Sequence, residues 1–181
     1  MRLRISLTVL FSLVVALPSV FAQSTESSRD DTRERLRELL ERAGKRSDVN
    51  ATFKQSTKQP YNFVGSMSDN LPNADSLEIV ISVTTSDTIG FRIYPHYNGG
   101  YINVRKATDG RGLMHKMLTF NDNNFLFWGA DSTDDIFCGY TFTLESGFPE
   151  KAIVVVLRSI RNADRFVGEL RPFVDRSAAA K

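Results

Sequence analysis

Residues 77–94 read LEIVISVTTSDTIGFRIY. Apolar side chains occupy every second position on both sides of the polar turn 85–87. These alternating residues are Leu77, Ile79, Ile81 and Val83 before the turn and Ile89, Phe91 and Ile93 after it. A period of two is typical of half-buried strands, and two such strands joined by a short polar segment predict a β-hairpin. We therefore expect a fold built on an antiparallel sheet.

Further strands on both sides of this hairpin extend the predicted sheet. Residues 61–67 form a strand before it, and a short strand is expected at 101–104. Residues 125–128 and 136–144 form two more strands, joined by the acidic turn 130–135. In the last strand, alternation predicts that Ile136, Cys138, Tyr140, Phe142 and Leu144 share one face.

Helical periodicity predicts one helix before the first strand and another between the predicted strands 101–104 and 125–128. The first helix begins at Asp31, whose spacing to Glu34 fits a capping box, and it ends at Gly44. The second helix carries the apolar stripe of 113–118 and is stopped by the polar run 121–124.

The last helix decides between fold classes. It begins near Pro149, keeps an apolar stripe for about five turns and ends at Pro172. Residues 153–157 are β-branched enough for a strand, but the length of the stripe favours a helix. The order is then helix, three strands, helix, two strands, helix (αβββαββα). It predicts one α+β domain over residues 31–174, with an antiparallel sheet packed on helices. A cystatin-like or NTF2-like fold is the alternative, and those folds tend to finish in strands.

This order of elements resembles the type III secretion chaperone-like fold, and the C-terminal half is similar to the YbjN family of bacterial sensory transduction regulators. The resemblance is carried by LMHKMLTFN (113–121), NFLFW (124–128), YTFTL (140–144), GFPE (147–150) and ADRF (163–166). It implies a small non-enzymatic domain, often dimeric, that binds a partner protein. The resemblance supplies no catalytic residues.

The first 22 residues have the order of a secretory signal peptide. Arg2 and Arg4 precede an apolar run, and small residues lead to a cleavage site between Ala22 and Gln23. A retained membrane anchor is the alternative, but the run of about a dozen residues is shorter than the roughly 20 that span a bilayer. We expect cleavage, a flexible linker over 23–30, a disordered tail over 175–181, and a protein that is periplasmic or secreted and has no membrane association.

The charge of the mature chain argues against a nucleic-acid partner. The chain has 23 Lys and Arg and 21 Asp and Glu, and both surplus cations lie at Arg2 and Arg4. Removal of residues 1–22 leaves 21 charges of each sign, so the net charge becomes zero. Binding to nucleic acid requires a retained basic surface.

Catalytic and metal-binding motifs are not evident in the sequence. Cys138 is the only cysteine and alternates with core residues, which predicts a buried, inert thiol. Ser66 lacks the second glycine of a nucleophile elbow. His96 and His115 have no partner at ligand spacing. We therefore expect no enzyme and no cofactor.

Two weaker candidates concern ions. Arg105, Lys106 and Arg111 precede a predicted helix N-terminus, where backbone amides favour an anion. The oxygen-rich turn 131–135 could hold Ca²⁺, but the glycine and the distal glutamate of an EF-hand loop are missing. A polar hairpin turn accounts for the same residues, so we expect no metal.

The expected binding surface is the face of the sheet that points away from the helices. In strand 125–128, one of the two alternating pairs must lie on that face beside Phe137, and Arg92 and Tyr94 join it by alternation. We expect Trp128, with Leu126, to anchor this surface, because tryptophan is enriched at interface hot spots. Coverage by residues 45–60 or by a helix is the alternative.

Two classes of function fit these observations. The first is an exported, non-enzymatic YbjN-like accessory or regulatory protein that binds another protein, with a homodimer as one form. The second is a periplasmic small-molecule binding protein or hydrolase, which requires a deep pocket between sheet and helices.

Overall fold

The computed structural model describes residues 20–175, with side chains described from Ser28 onward except at Asn123. Residues 1–19 of the predicted signal peptide and 176–181 of the predicted tail lie outside the described residues. Within the described part, none of the helices has the length and apolar character needed to cross a membrane.

The described residues form one antiparallel sheet of seven strands. The strands are β1 (Thr52–Gln55), β2 (Asn62–Met67), β3 (Ser76–Val83), β4 (Thr88–Tyr97), β5 (Gly100–Tyr101), β6 (Phe127–Ala130) and β7 (Ile136–Thr143). Their order is β1-β2-β3-β4-β7-β6, and β5 pairs with β4. The predicted hairpin is formed by β3 and β4, with Ile79 paired to Ile93.

The helices are α1 (Val20–Gly44), α2 (Gly110–Asn123), α3 (Glu150–Ser159) and α4 (Ala163–Val174), with a 3₁₀ turn at Ile160–Asn162. The segment 153–157 is helical, so the chain finishes in helices, and the predicted α+β class is confirmed. Pro172 does not end α4, which continues to Val174. The last two carbonyls of the helix accept from residues that precede α2, Phe173 O from Asp109 N at 2.8 Å and Val174 O from Thr108 Oγ1 at 3.1 Å.

One face of the sheet and the apolar stripes of the helices form a single core. Every second residue of β3 and the first half of β4 is fully buried, as predicted from the alternation. On α1, the buried residues are the predicted stripe of Leu36, Leu39, Leu40 and Ala43. The helices therefore cover one face, and the intervening residues of the strands point to the other.

The N-terminal helix begins earlier than the sequence predicts. Asp31 lies inside α1 rather than at its N-cap, and the predicted linker 23–30 is helical. The physical reason lies in tertiary contacts that local sequence does not reveal. The Arg29 guanidinium donates to Val83 O at 2.7 Å and lies 3.5 Å from the ring centroid of Tyr61. The Tyr61 hydroxyl donates to Asp30 Oδ1 at 2.9 Å.

Two strands differ from their predicted bounds, and one was missed. β1 lies within 45–60, a segment for which no strand was predicted. β5 is shorter than 101–104, although Asn103 still forms an isolated bridge with Asp135. β6 is displaced by two residues, because Phe125 and Leu126 form the bend that follows α2.

The outer edge of β6 is closed by a side chain from α2. Asn121 Oδ1 accepts from Trp128 N at 2.6 Å, and Asn121 Nδ2 donates to Trp128 O at 3.2 Å. An amide side chain thus takes the place of a neighbouring strand and satisfies both backbone groups. The polar run 121–124, which was predicted to stop the second helix, therefore supplies from the last turn of α2 the side chain that protects a sheet edge.

Candidate functional site

The candidate site is the face of the sheet turned away from the helices, which we call the outer face. Its side chains are half-buried or exposed, with the exception of Phe137, and no described element covers it. The residues of the outer face used below are Lys54, Val64, Glu78, Val80, Arg92, Tyr94, His96, Tyr101, Phe127 and Phe137.

The prediction that Trp128 and Leu126 lie on the outer face is wrong. Trp128 pairs with Cys138 in the ladder, so the two side chains share the face that packs on the helices. The indole is 4% exposed and contacts the rings of Phe120 and Phe166, with centroids 5.4 and 5.8 Å away. Leu126 is buried as well. Phe127 takes the outward position, with 43% of its surface exposed.

Arg92, Tyr94 and Phe137 do lie on the outer face. The Phe137 ring is packed against Tyr94 (centroids 5.7 Å apart) and Phe127 (5.8 Å apart). The Arg92 guanidinium lies 4.8 Å from the centroid of the Phe137 ring. Phe137 is therefore the buried centre of a small aromatic cluster, and its neighbours form the solvent-accessible surface of that cluster.

Each of the two phenylalanines in this cluster lies directly opposite a glycine on the neighbouring strand. Phe127 pairs with Gly139 across β6 and β7, and Phe137 pairs with Gly129. A Cβ on Gly139 would meet Phe127 Cζ at 2.9 Å and Phe91 O at 2.5 Å, so the Phe127 ring occupies the space that the glycine leaves. Aromatic rings over cross-strand glycines recover the packing that glycine lacks.

These contacts predict different outcomes for two glycine substitutions. Gly139→Ala forces a backbone carbonyl to move and is expected to lower the free energy of unfolding by about 1–3 kcal/mol. Gly129→Ala places its Cβ 3.7 Å from Phe137 Cζ, an ordinary contact, and is the matched control with a change below about 0.5 kcal/mol. Urea denaturation of both variants tests this. Equal losses would show that the close contacts of Gly139 with Phe91 O and the Phe127 ring do not make it the more constrained position.

A second cluster, which the sequence did not predict, lies beside the first at β5. The Tyr101 hydroxyl donates to both oxygens of Glu78 at 3.1 Å, and the Tyr101 and His96 rings lie 4.3 Å apart. His96 Nε2 is 3.7 Å from Glu78 Oε2. Burial, together with the negative charge of Glu78, raises the pKa of Tyr101 from 10.0 to about 12.

The raised pKa of Tyr101 predicts that this tyrosine ionises at a higher pH than an ordinary tyrosine. The folded state favours the neutral phenol, so this contribution to stability is complete below pH 10 and is lost as the pH rises towards 12. In an ultraviolet absorbance titration, Tyr101→Phe should remove a step near pH 12, and Glu78→Gln should move that step partway towards pH 10. A step that persists in Tyr101→Phe would show that another tyrosine produces it.

The acidic turn is accounted for by its own hydrogen bonds. Asp131 Oδ1 accepts from Thr133 N (2.9 Å), Thr133 Oγ1 (2.7 Å) and Asp135 N (3.2 Å). Burial acts to raise the pKa of Asp131, but the hydrogen bonds from Thr133 and Asp135 outweigh it and lower the pKa. Among the described residues, no group of three or more His, Cys, Asp or Glu side chains converges to hold a metal ion.

The structure does not assemble the predicted anion site. Asp109 caps α2 by accepting from Gly112 N at 2.8 Å, so a carboxylate already occupies the helix N-terminus. The Arg105 guanidinium pairs with Asp134 at 2.5 Å. Lys106 and Arg111 are exposed to solvent.

The remaining candidate residues are dispersed. Cys138 is buried, and burial raises the pKa of its thiol to about 12. Ser66 lies on the outer face of β2, and His115 is exposed on α2.

A groove of about 610 Å³ lies between the end of α1 and β1, at the edge of the sheet. The alternative function, a small-molecule binding protein or hydrolase, requires a deep pocket between the sheet and the helices, and this groove lies elsewhere.

Comparison with known proteins finds likeness in structure but no match in sequence. No family model matches the chain, and no curated protein matches it. A chain in the crystal structure of the ExsC-ExsE complex is similar, with 12% identity and a TM-score of 0.44. The match covers 82% of this chain and 98% of that chain. Membership of the YbjN family stays a prediction from the sequence.

Proposed function

We propose that this chain is an exported, non-enzymatic YbjN-like protein that acts by binding another protein through its outer face. The observation that carries the proposal is the aromatic cluster on that face. Phe127 in this cluster and Tyr101, whose ring contacts Tyr94 with centroids 5.8 Å apart, keep 43% and 42% of their surfaces exposed, although aromatic side chains generally gain stability from burial. An aromatic cluster on an otherwise uncovered sheet face is typical of protein interaction sites.

The other exposed large apolar residues lie apart from the outer face. Met114 and Leu118 stand on α2, and Val155 stands on α3. Phe125, 55% exposed, lies in the bend after α2 and contacts Tyr140, whose side chain shares the face that packs on the helices. On the outer face, by contrast, the rings of Phe127, Phe137 and Tyr94 are in mutual contact and are held by paired strands. A rigid, preorganised surface loses little conformational entropy on binding.

Export rests on the composition of residues 1–22, with two arginines before an apolar run and Ala22 at the expected cleavage site. Expression of the 181-residue chain in a bacterium, followed by fractionation and mass spectrometry, tests this part separately. The expected product is a periplasmic or secreted chain that begins at Gln23. A full-length chain in the cytoplasm would overturn export and leave the binding surface unaffected.

The binding role is tested with a matched pair of charge insertions. Phe127→Glu places a carboxylate in the aromatic cluster, and Leu118→Glu places one on α2, where Leu118 is 68% exposed. Both variants are expected to fold, as judged by circular dichroism. Affinity capture from an extract of the source cells should yield a protein that binds the wild type and Leu118→Glu but not Phe127→Glu. Capture that is equal for all three forms would overturn the proposal.

A further inference from the structure

We propose that the partner bound at the outer face presents two carboxylates separated by apolar side chains, one facing Arg92 and the other facing Lys54. This inference rests on the proposed function and adds the chemistry of the partner. Two observations lead to it. A single row of side chains crosses the sheet, and the cations in that row have no internal counter-ion.

The row is defined by the register of the strands. Lys54 pairs with Val64, Val64 with Val80, and Val80 with Arg92. Directly paired residues in an antiparallel sheet project from the same face, so these four side chains stand side by side. Neighbouring strands are about 4.8 Å apart, which separates Lys54 from Arg92 by about 14 Å.

The two cations of this row are free to take a ligand. Among the described residues, neither Lys54 nor Arg92 forms a salt bridge, and both are exposed. The contacts of the Arg92 guanidinium are the Phe137 ring and the Tyr94 hydroxyl, the latter at 3.5 Å.

The carboxylates beside this row are already engaged by internal donors. Glu78 accepts from Tyr101, and Asp131 accepts from Thr133 and Asp135. These donors are neutral, so both carboxylates keep their negative charge, but their oxygens are occupied, whereas Lys54 and Arg92 have no carboxylate partner among the described residues. The two cations of the row are therefore the charges left unpaired for a partner, and unpaired cations favour carboxylates over cationic groups.

The space between and beside the cations is apolar. Val64 is 36% exposed, Val80 is half-buried, and Phe127 lies beyond Arg92 over Gly139. The complementary segment thus carries a carboxylate, apolar side chains, a second carboxylate and a further apolar group. Arg92 is suited to the second carboxylate, because its planar guanidinium can donate two parallel hydrogen bonds while its other face rests on an aromatic ring.

The test uses phage-displayed random twelve-residue peptides selected against the immobilised full chain. We expect the selected peptides to be enriched in Asp and Glu over Lys and Arg, with apolar residues between the acids. Arg92→Glu and Lys54→Glu should each weaken binding of these peptides about tenfold or more, and selection against the double variant should favour basic peptides. Arg111→Glu, an exposed cation away from the outer face, is the matched control and should change binding less than about twofold.

Several outcomes would overturn this inference. Selection that yields no binders, or binders without acidic enrichment, contradicts it, as does equal binding to wild type and Arg92→Glu. A chain that is dimeric in solution and becomes monomeric in Arg92→Glu would assign the face to a second copy instead. If Phe127→Glu loses a captured protein that Arg92→Glu and Lys54→Glu retain, the proposed function stands and this inference fails. If no outer-face variant changes capture, both fail.

Discussion

The Asp164→Ala variant is expected to lose about 3–5 kcal/mol of the free energy of unfolding, measured by urea denaturation. Asp164 is 4% exposed and ties α4 to the loop between β2 and β3. Its Oδ1 accepts from Asn73 N (3.0 Å) and Ala74 N (2.8 Å), and its Oδ2 accepts from Asn73 Nδ2 (2.9 Å). Alanine leaves these donors without an acceptor in a poorly hydrated position, and each stranded donor costs about 1–3 kcal/mol.

Two further variants separate this role from a general effect of removing a carboxylate. Asp164→Asn retains an oxygen that can accept from the two backbone amides, and we expect a smaller loss than in Asp164→Ala. Asp122→Ala removes an exposed aspartate from α2 and should change stability by less than about 0.5 kcal/mol. A loss in Asp164→Ala no larger than in Asp122→Ala would show that the loop does not depend on this contact.

The strands and helices that the sequence predicts well are those with a strict period. In β3 and β4 the alternation is undisturbed, and the bounds differ from those predicted by at most a few residues at each end. The last helix is similar, since its apolar stripe continues from α3 through the 3₁₀ turn into α4. These elements are predictable because the apolar period can be recognised within the segment itself, and in each of them the apolar face packs on the same core.

The elements that the sequence missed depend on contacts between distant residues. β1 has only four residues, TFKQ, too few for an alternation to be recognised, and it exists because β2 pairs with it. The early start of α1 depends on Arg29 and Asp30 meeting Tyr61 and Val83. Asp164 belongs to the same class, because nothing near it in the sequence indicates that Asn73 will supply its donors.

The outer face was predicted in part for a related reason. Alternation correctly separates Arg92 and Tyr94 from the buried residues of β4, since each is flanked by core positions. In β6 the stretch Phe125–Trp128 is apolar at every position, so alternation cannot tell which pair points inward. The register with β7 decides it, because Trp128 lies opposite Cys138 and Phe127 lies opposite Gly139. The enrichment of tryptophan at interfaces pointed to the wrong member of the strand.

This placement reverses the expected behaviour of Trp128→Ala. We expect the variant to lose about 3–5 kcal/mol of the free energy of unfolding, because truncation of a large buried aromatic residue removes its apolar contacts and leaves a cavity beside Phe120 and Phe166. Thermal and urea denaturation followed by circular dichroism measure this loss. Any fall in partner binding should then follow the unfolded fraction rather than indicate a contact with the partner.

Trp128→Phe and Phe127→Ala distinguish burial from binding. The Trp128 indole N–H has no hydrogen-bond partner among the described residues, so Trp128→Phe removes an unsatisfied buried donor along with some apolar surface. The two effects oppose each other, and we expect a change of less than about 1 kcal/mol. Phe127→Ala, at an exposed position next along the strand, should also remain folded but should weaken partner binding. If Trp128→Ala stays as stable as the wild type and loses partner binding, while Phe127→Ala keeps it, the two faces of β6 have been assigned the wrong way round.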